Sequence, residues 1–261
     1  MATACGVLVA IGLLALTGLA ASRTDTALPE TPRPAAQVLP VAVAEPEAAG
    51  PAPARSRSTE QPRGGRSEKR VRRAATSDVA TDWVGRTSAR TGIGRVALTA
   101  YASASLRMAT EQPACRIGWT TLAGIGAVES GHGTNGGAHL QPDGTTSQPI
   151  LGPALDGTGG TAAIRSTAES VDWHGDRRWD HAVGPMQFIP STWRRWGTDG
   201  SGDGRADPNN VLDAAVAAAR YLCASGGDLT TAQGWTRAVF SYNHSDAYVR
   251  SVLARANRYA R

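Results

Sequence analysis

Residues 119–133 read WTTLAGIGAVESGHG, an apolar run that ends in one acid and a glycine-rich stop. No other charged side chain precedes the acid in this run, and glycines are typical of the residues that end a helix. At about 100° per residue, Leu122, Ile125 and Glu129 fall on one stripe of the predicted helix. The stretch therefore predicts an apolar helix that carries a carboxylate on its buried side.

A carboxylate in this position has a specific chemical use. Burial disfavours the ionised form of an acid, so we expect the pKa of Glu129 to be raised. A carboxylic acid that keeps its proton near neutral pH can act as a general acid. A structural glutamate held by a nearby arginine would fit the same spacing, and the helix alone does not separate the two interpretations.

The rest of the folded region is also predicted to be mostly α-helical. Apolar spacing or composition indicates further helices at 93–110, 191–196, 210–224, 231–242 and 246–258. No stretch alternates with period two for long enough to make a central strand. Residues 135–179 form a long region rich in Gly, Pro and Thr without strong periodicity, and loops of this length inside a compact domain are usually functional.

The N-terminal third has a different composition. Residues 1–21 contain an uncharged apolar run that predicts a secretory signal peptide, with an uncleaved N-terminal anchor as the alternative. Residues 22–77 hold eight of the fifteen prolines and show no apolar periodicity, which predicts a disordered Pro/Arg-rich linker. We therefore expect an exported protein, secreted or associated with the cell envelope, whose folded domain is 78–261.

One run within the linker accounts for the net positive charge of the chain. Residues 55–73 contain eight basic and two acidic side chains. Such a run could bind anionic wall polymers or lipid headgroups, or it could be a solvated linker without a partner. Nucleic acid is not expected as a partner outside the cell, and we expect a monomer.

Export also affects the cysteines. Cys5 lies in the apolar run, so Cys115 and Cys223 are the pair that remains in the folded region. An even pair in an oxidising compartment predicts a disulfide, although two buried thiols would be the alternative.

Four segments in a fixed order carry a resemblance to a known family. They are GIGAVESGHG at 124–133, AVGPMQFIPSTW at 182–193, DGSGDGRADPNNVLDAA at 199–215 and AVFSYNHSDAYV at 238–249. Together they resemble the B-type lytic murein transglycosylases, especially the actinobacterial ones, over about residues 78–261. The resemblance implies a lysozyme-like catalytic domain, and it is specific because four motifs occur in order.

The same resemblance implies a reaction and a set of residues. The family cleaves the β-1,4 bond between N-acetylmuramic acid and N-acetylglucosamine in peptidoglycan strands and forms a 1,6-anhydro ring. One glutamate serves as acid and then base, and Glu129 matches it. The residues that match the substrate-binding segments are Ser130, Met186, Gln187, Phe188, Tyr242 and Asn243.

A calcium ion is the expected cofactor, and no organic cofactor is expected. Residues 199–205 follow the start of an EF-hand loop, with oxygen side chains at relative positions 1, 3 and 5 and a glycine at 6. Asp213 matches the late ligand of the longer loop in the B-type enzymes, although it could instead complete a capping box with Asn210. The expected ligands are Asp199, Ser201, Asp203, Asp213 and the backbone carbonyl of Arg205.

Two other functions remain open at this point. A lysozyme-type hydrolase would share the glutamate but let water complete the reaction, and a non-catalytic wall-binding protein would bind peptidoglycan without turnover. A second carboxylate could also come from Asp172, Asp176 or Asp180, although we expect these acids to pair with arginines.

Overall fold

The computed structural model describes residues 79–158 and 161–261. The predicted signal peptide or anchor at 1–21 and the predicted linker at 22–77 lie outside the described residues. Among the residues described, no helix is both long and apolar enough to cross a membrane.

Eight α-helices dominate the described part of the chain, which confirms the mostly α prediction. In chain order they are α1 (Thr81–Thr91), α2 (Arg95–Glu111), α3 (Trp119–Ser130), α4 (Ala168–His174), α5 (Pro190–Trp196), α6 (Val211–Gly226), α7 (Ala232–Tyr242) and α8 (Asp246–Tyr259). Two short strands, β1 (Leu151–Ala154) and β2 (His181–Val183), pair antiparallel, with Leu151 opposite Val183 and Ala154 opposite His181. A single 3-10 turn covers Asn135–Gly137.

Helix α3 is the centre of the core. Every residue from Trp119 to Gly126 is buried, so this helix is enclosed on all sides instead of presenting one stripe to the interior. Helix α8 packs along it very closely, because a side chain at Gly124 would lie 2.9 Å from the carbonyl oxygen of Val252. The charge-free sequence of α3 is therefore explained by complete enclosure, and only its last turn reaches the surface.

Side-chain caps fix where the last three helices begin. The side-chain oxygens of Asn210, Thr231 and Ser245 accept hydrogen bonds from backbone N–H groups in the first turns of α6, α7 and α8. Each cap satisfies a donor that the helix itself cannot pair. The predicted starts of these helices are within one residue of the observed ones.

Two helices, α1 and α4, and the two strands were not predicted from the sequence. Helix α1 contains Gly, Ser and Thr in place of a clear apolar period, and α4 has only seven residues. Strands of three and four residues are likewise too short to show alternation. Helix α4 is stabilised by a capping box between Thr167 and Ser170, and the two-stranded sheet pairs β1, inside the region predicted as loop, with β2 just after it.

The predicted disulfide between Cys115 and Cys223 is confirmed. The two Cα atoms are 5.3 Å apart and 108 residues separate the cysteines in sequence. The bridge joins the residues just before α3 to the last turns of α6. The carbonyl oxygen of Cys115 also accepts a hydrogen bond from Leu229 N–H at 2.8 Å, so the junction is held on both sides.

Candidate active site

Glu129 lies in the last turn of α3, where the enclosed helix reaches the surface. Its side chain is partly buried, and burial raises the pKa of Glu129 to about 7. No other carboxylate contributes to this shift, since the second influence is a hydrogen bond from Tyr248 that lowers the pKa. At neutral pH a substantial fraction of Glu129 therefore keeps the proton that a general acid must donate.

Tyr248, in the first turn of α8, holds the Glu129 carboxyl in place. Its buried hydroxyl donates to Oε1 of Glu129 at 2.5 Å. Burial, and then the negative charge of Glu129, raise the pKa of Tyr248 well above its ordinary value, so the phenol stays a donor. With Oε1 used as an acceptor, Oε2 is the oxygen left to carry and transfer the proton.

The segment 184–188 is anchored next to Glu129 by two hydroxyl groups. Ser130 is buried and its Oγ donates to the carbonyl oxygen of Pro185 at 2.6 Å. Tyr242 donates to the carbonyl oxygen of Met186 at 2.8 Å. The hydroxyl of Tyr242 thus positions this segment, while the direct contact with Glu129 comes from Tyr248. A substrate contact by Ser130 or Tyr242 stays a prediction.

Gln187 and Phe188 continue the same segment. Gln187 has a positive φ of 49°, and its Nε2 donates to the carbonyl oxygens of Ile150 and Gly184 at 3.1 and 2.9 Å. Phe188 is buried with its ring edge-on to Trp193 and Tyr242, at centroid distances of 5.3 and 5.9 Å. The segment therefore joins β1 to α7, and the Gln187 side chain is its partly exposed polar group.

The structure brings the predicted substrate residues to one region around the end of α3. Met186 is buried, and its carbonyl accepts from Tyr242. Asn243 is buried at the C-terminal end of α7, next to Tyr242. Burial of the Tyr242 hydroxyl and the charge of Glu129 both raise the pKa of Tyr242, which places that hydroxyl within electrostatic range of the acid.

His132 forms a second anchor between α3 and α8. Its Nδ1 lies 3.2 Å from the hydroxyl of Tyr101 and its Nε2 lies 3.0 Å from the hydroxyl of Tyr259. Burial, assisted by the charge of Arg255, lowers the pKa of His132 to about 4. The imidazole is therefore neutral at physiological pH, and it links the end of α3 to α2 and to the last turn of α8.

Two of the three acids in the 172–180 region, Asp176 and Asp180, have partners other than the arginine side chains we expected. Asp180 is buried and accepts from Ser170 Oγ at 2.5 Å, and His174 Nε2 lies 3.2 Å away. Asp176 accepts from two backbone N–H groups and faces His181, and these contacts lower the pKa of Asp176 to about 2. The partners of these two acids are therefore histidines, Ser170 and backbone amides, all from residues 170–181.

The loop after α5 is organised by carboxylates that accept from backbone amides. Asp213 is buried, and its two oxygens accept from the N–H groups of Gly200, Ser201 and Asp207 at 2.7 to 2.9 Å. Burial raises the pKa of Asp213 against the lowering effect of these hydrogen bonds. Asn210 is the cap of α6, whereas Asp213 spans the loop instead of closing a capping box with it.

Asp199 and Asp203 also accept hydrogen bonds from the backbone of this loop. Asp199 accepts from the N–H groups of Gly202 and Gly204, and Asp203 accepts from Arg205 N–H at 2.8 Å. Across residues 79–158 and 161–261, no three side chains of His, Cys, Asp or Glu are grouped to hold a metal ion. The loop is thus ordered by its own hydrogen bonds. Calcium ligation, which would also use the Ser201 hydroxyl and the Arg205 carbonyl, stays a prediction.

The comparison with known families identifies part of this region. Residues 173–239 match the transglycosylase SLT domain. No curated protein and no solved structure matches the chain. The SLT match supports a glycan-cleaving enzyme of the lytic transglycosylase family with peptidoglycan as its substrate, and the helical fold agrees with a lysozyme-like SLT domain.

The SLT match covers only part of the candidate active site. The matched range includes the 184–188 segment, the loop after α5, α6 and most of α7. Glu129 and Tyr248 lie outside it. Their assignment rests on the buried carboxyl, its raised pKa and its hydrogen bond.

The sequence alone did not predict that Tyr248 and His132 belong to the site. Tyr248 stands three residues after Ser245, so its position in the first turn of α8 was readable, but its contact with α3 is long-range. His132 is not among the residues that the sequence predicts for the site. Its place in a GHG sequence at a helix end was a signal of left-handed backbone, which the positive φ of 64° bears out.

Proposed function

We propose that this protein is a lytic transglycosylase that cleaves the MurNAc-β-1,4-GlcNAc bond and leaves a 1,6-anhydro-MurNAc end. The observation that carries the proposal is the single carboxyl of Glu129, partly buried, with a pKa of about 7 and one oxygen fixed by Tyr248. The SLT match to residues 173–239 supports the substrate class.

The proposed first step breaks the glycosidic bond. Glu129 transfers its Oε2 proton to the bridging oxygen, and the bond from that oxygen to C1 of N-acetylmuramic acid breaks. The acetamide of the same sugar stabilises the positive charge that develops at C1, as in substrate-assisted glycosidases. The acetamide then takes the role of the second carboxylate that ordinary glycosidases use, which agrees with the absence of any other carboxylate among the influences on the pKa of Glu129.

The proposed second step closes the ring. Glu129, now a carboxylate, takes the proton of the 6-hydroxyl of the same sugar as that oxygen forms its bond to C1. No water is consumed and the acid is regenerated. Tyr248 donates to Oε1 throughout, which stabilises the carboxylate between the two steps.

Replacement of the acid tests this role. Glu129→Gln keeps the size and the hydrogen-bond acceptor for Tyr248 but removes the transferable proton, so turnover of purified glycan strands should fall by at least about 100-fold. Binding of the variant to insoluble peptidoglycan, measured by co-sedimentation, should be retained. Asp180→Asn is the matched control because Asp180 is also a buried acid but is paired with Ser170 and His174. Retained turnover in Glu129→Gln would contradict the proposal.

Two further properties belong to the same proposal. We propose export to the cell envelope, which the Cys115–Cys223 disulfide supports because such bonds persist in oxidising compartments. We also propose that the loop from Asp199 to Asp213 binds a structural calcium ion. The support is its pattern of oxygen-bearing residues and the way Asp199 and Asp213 both face the same loop backbone.

A further inference from the structure

The net positive charge of the described residues comes from the last helix and the two residues after it. Residues 79–158 and 161–261 contain 17 arginines and 15 acidic residues. Residues 246–261 contain four of those arginines and a single acid, Asp246. The remaining described residues hold 13 arginines and 14 acids, so their charge nearly cancels. Helix α8 and the residues after it therefore form a local excess of positive charge.

Three of these arginines point away from the protein. The buried face of α8 is formed by Tyr248, Val249, Val252, Ala256 and Tyr259. At about 100° per residue, Arg250 and Arg258 lie on the opposite face, and Arg261 continues it just past the helix end. All three are exposed. We call Arg250, Arg258 and Arg261 the α8 strip.

The α8 strip has no acidic partner in the part of the chain that the structure describes. The salt bridges there use Arg107, Arg116, Arg194 and Arg220, together with two histidines. The first turn contains Asp246, four residues before Arg250 but outside ion-pair distance. The guanidinium groups of the strip are thus available to an external anion.

We propose that the α8 strip binds a polymer that carries phosphate groups. Guanidinium groups recognise phosphate oxygens in a bidentate manner, and a row of them gains affinity by displacing the counterions of a polyanion. Arg250 and Arg258 are about 12 Å apart along the helix axis, so the strip contacts several consecutive charged groups of an extended chain.

A soluble or wall-attached polymer fits the strip better than a lipid surface. A helix that lies on a membrane inserts an apolar face next to its basic face. The apolar face of α8 is already packed against α3, and the exposed residues between Arg250 and Arg258 are Ser251, Ala254 and Arg255, none of which is a large apolar side chain. The strip therefore offers charge without an inserting side chain.

The polymer would bind away from the candidate active site. Tyr248 projects from the buried side of α8 to Glu129, on the other side of the helix from the strip. Bound polymer would thus leave the site open. The proposal is independent of the proposed function, and loss of the strip should leave cleavage of polymer-free glycan strands unchanged.

Arginine footprinting on the full chain tests the location directly. The probe is inorganic polyphosphate, and the readout is modification by an arginine-specific dicarbonyl reagent, mapped by mass spectrometry. Arg250, Arg258 and Arg261 should be protected, while the exposed Arg90 and Arg177 should be modified as in the free protein. Equal modification of the strip with and without polyphosphate would overturn the proposal. Protection by phosphatidylglycerol vesicles equal to or stronger than that by polyphosphate would overturn the choice of a polymer.

A pair of variants with equal net charge completes the test. Arg250→Gln/Arg258→Gln/Arg261→Gln should weaken polyphosphate binding by about tenfold or more at low salt and reduce the salt dependence of the affinity. Arg90→Gln/Arg177→Gln/Arg195→Gln is the matched control, since both variants keep the basic residues at 55–73. Equal dissociation constants for the two variants would show that the strip is only a solvated face and overturn the proposal.

Discussion

At the scale of single residues, the proposed acid–base chemistry depends on how the Glu129 carboxyl is held. Tyr248 fixes one oxygen of the carboxyl, and burial keeps the proton on the group near neutral pH. These two influences act in opposite directions on the pKa of Glu129, because the tyrosine hydrogen bond favours the carboxylate while burial disfavours it. The pH dependence of the reaction is therefore sensitive to both.

Removal of the Tyr248 hydroxyl should move the pH profile in a defined direction. A general acid is active when protonated, so kcat/KM should fall as pH rises through about 7, the pKa of Glu129 in the free protein. In Tyr248→Phe the hydrogen bond that lowers this pKa is lost, so the alkaline limb should move to higher pH. Loss of orientation should also lower kcat by about tenfold, comparable to one charge-assisted hydrogen bond.

Tyr259→Phe is the control for that profile. Tyr259 is on the same helix, and its hydroxyl contacts His132 in place of Glu129. Its removal should leave the alkaline limb where it is in the parent. If Tyr248→Phe also leaves the limb in place, Tyr248 supports the fold without acting on the acid.

At the scale of elements, the candidate active site forms where the end of α3 meets α8 and the segment 184–188. Glycines in α3 admit α8 and Tyr101 at close range, since a side chain at Gly126 would collide with the Tyr101 hydroxyl. The segment 184–188 is attached by Ser130 and Tyr242, and the loop after α5 is attached to α6 by Asp213. Each attachment is a set of hydrogen bonds between a side chain and the backbone, with Ser130 and Tyr242 as donors and Asp213 as acceptor.

Calcium should stabilise the loop after α5. Binding to the folded state alone adds about 2.7 kcal/mol to the free energy of unfolding at a hundredfold excess of ion over Kd. The melting temperature should therefore rise with calcium, in a titration extended to millimolar concentration. Asp203→Ala should abolish the rise, because Asp203 is an exposed predicted ligand whose own hydrogen bond is local. A melting temperature that is the same with and without calcium would mean that hydrogen bonds alone order the loop.

At the scale of the whole molecule, the disulfide joins the parts that carry the site. It connects the residues before α3 to α6. The stretch of chain between the two cysteines includes both strands and the 184–188 segment. Much of that enclosed stretch before β2 lies outside regular helices. A covalent link is therefore expected to contribute more here than it would between two long packed helices.

Loss of the disulfide should lower stability strongly. In the chain-entropy model, a closed loop of about this length contributes up to about 4.7 kcal/mol. Cys115→Ser/Cys223→Ser should therefore unfold at lower denaturant concentration than the parent. Thiol titration of the unfolded, unreduced mature protein should find no reactive thiol, and two reactive thiols would contradict the bond.

The sequence predicted the helices and the burial of Glu129 better than the contacts of its carboxyl group. The apolar run at 119–133 and the caps of α6 to α8 are local signals, so those elements could be read from the chain. The Tyr248–Glu129 contact joins residues 119 positions apart, and no local pattern encodes it. The histidine partners of Asp176 and Asp180 were missed because a seven-residue helix and short strands leave no periodicity that would reveal the fold of that turn.

The mass of the reaction products distinguishes the proposed ring closure from hydrolysis. Purified glycan strands digested with the parent protein should yield fragments that end in 1,6-anhydro-MurNAc, each lighter by one water than the product of a hydrolase. The same digestion with Glu129→Gln should yield neither product. Fragments with the full hydrolysed mass from the parent would assign the protein to the lysozyme-type hydrolases and contradict the proposed ring closure. Intact strands after digestion with the parent would contradict an enzymatic function altogether.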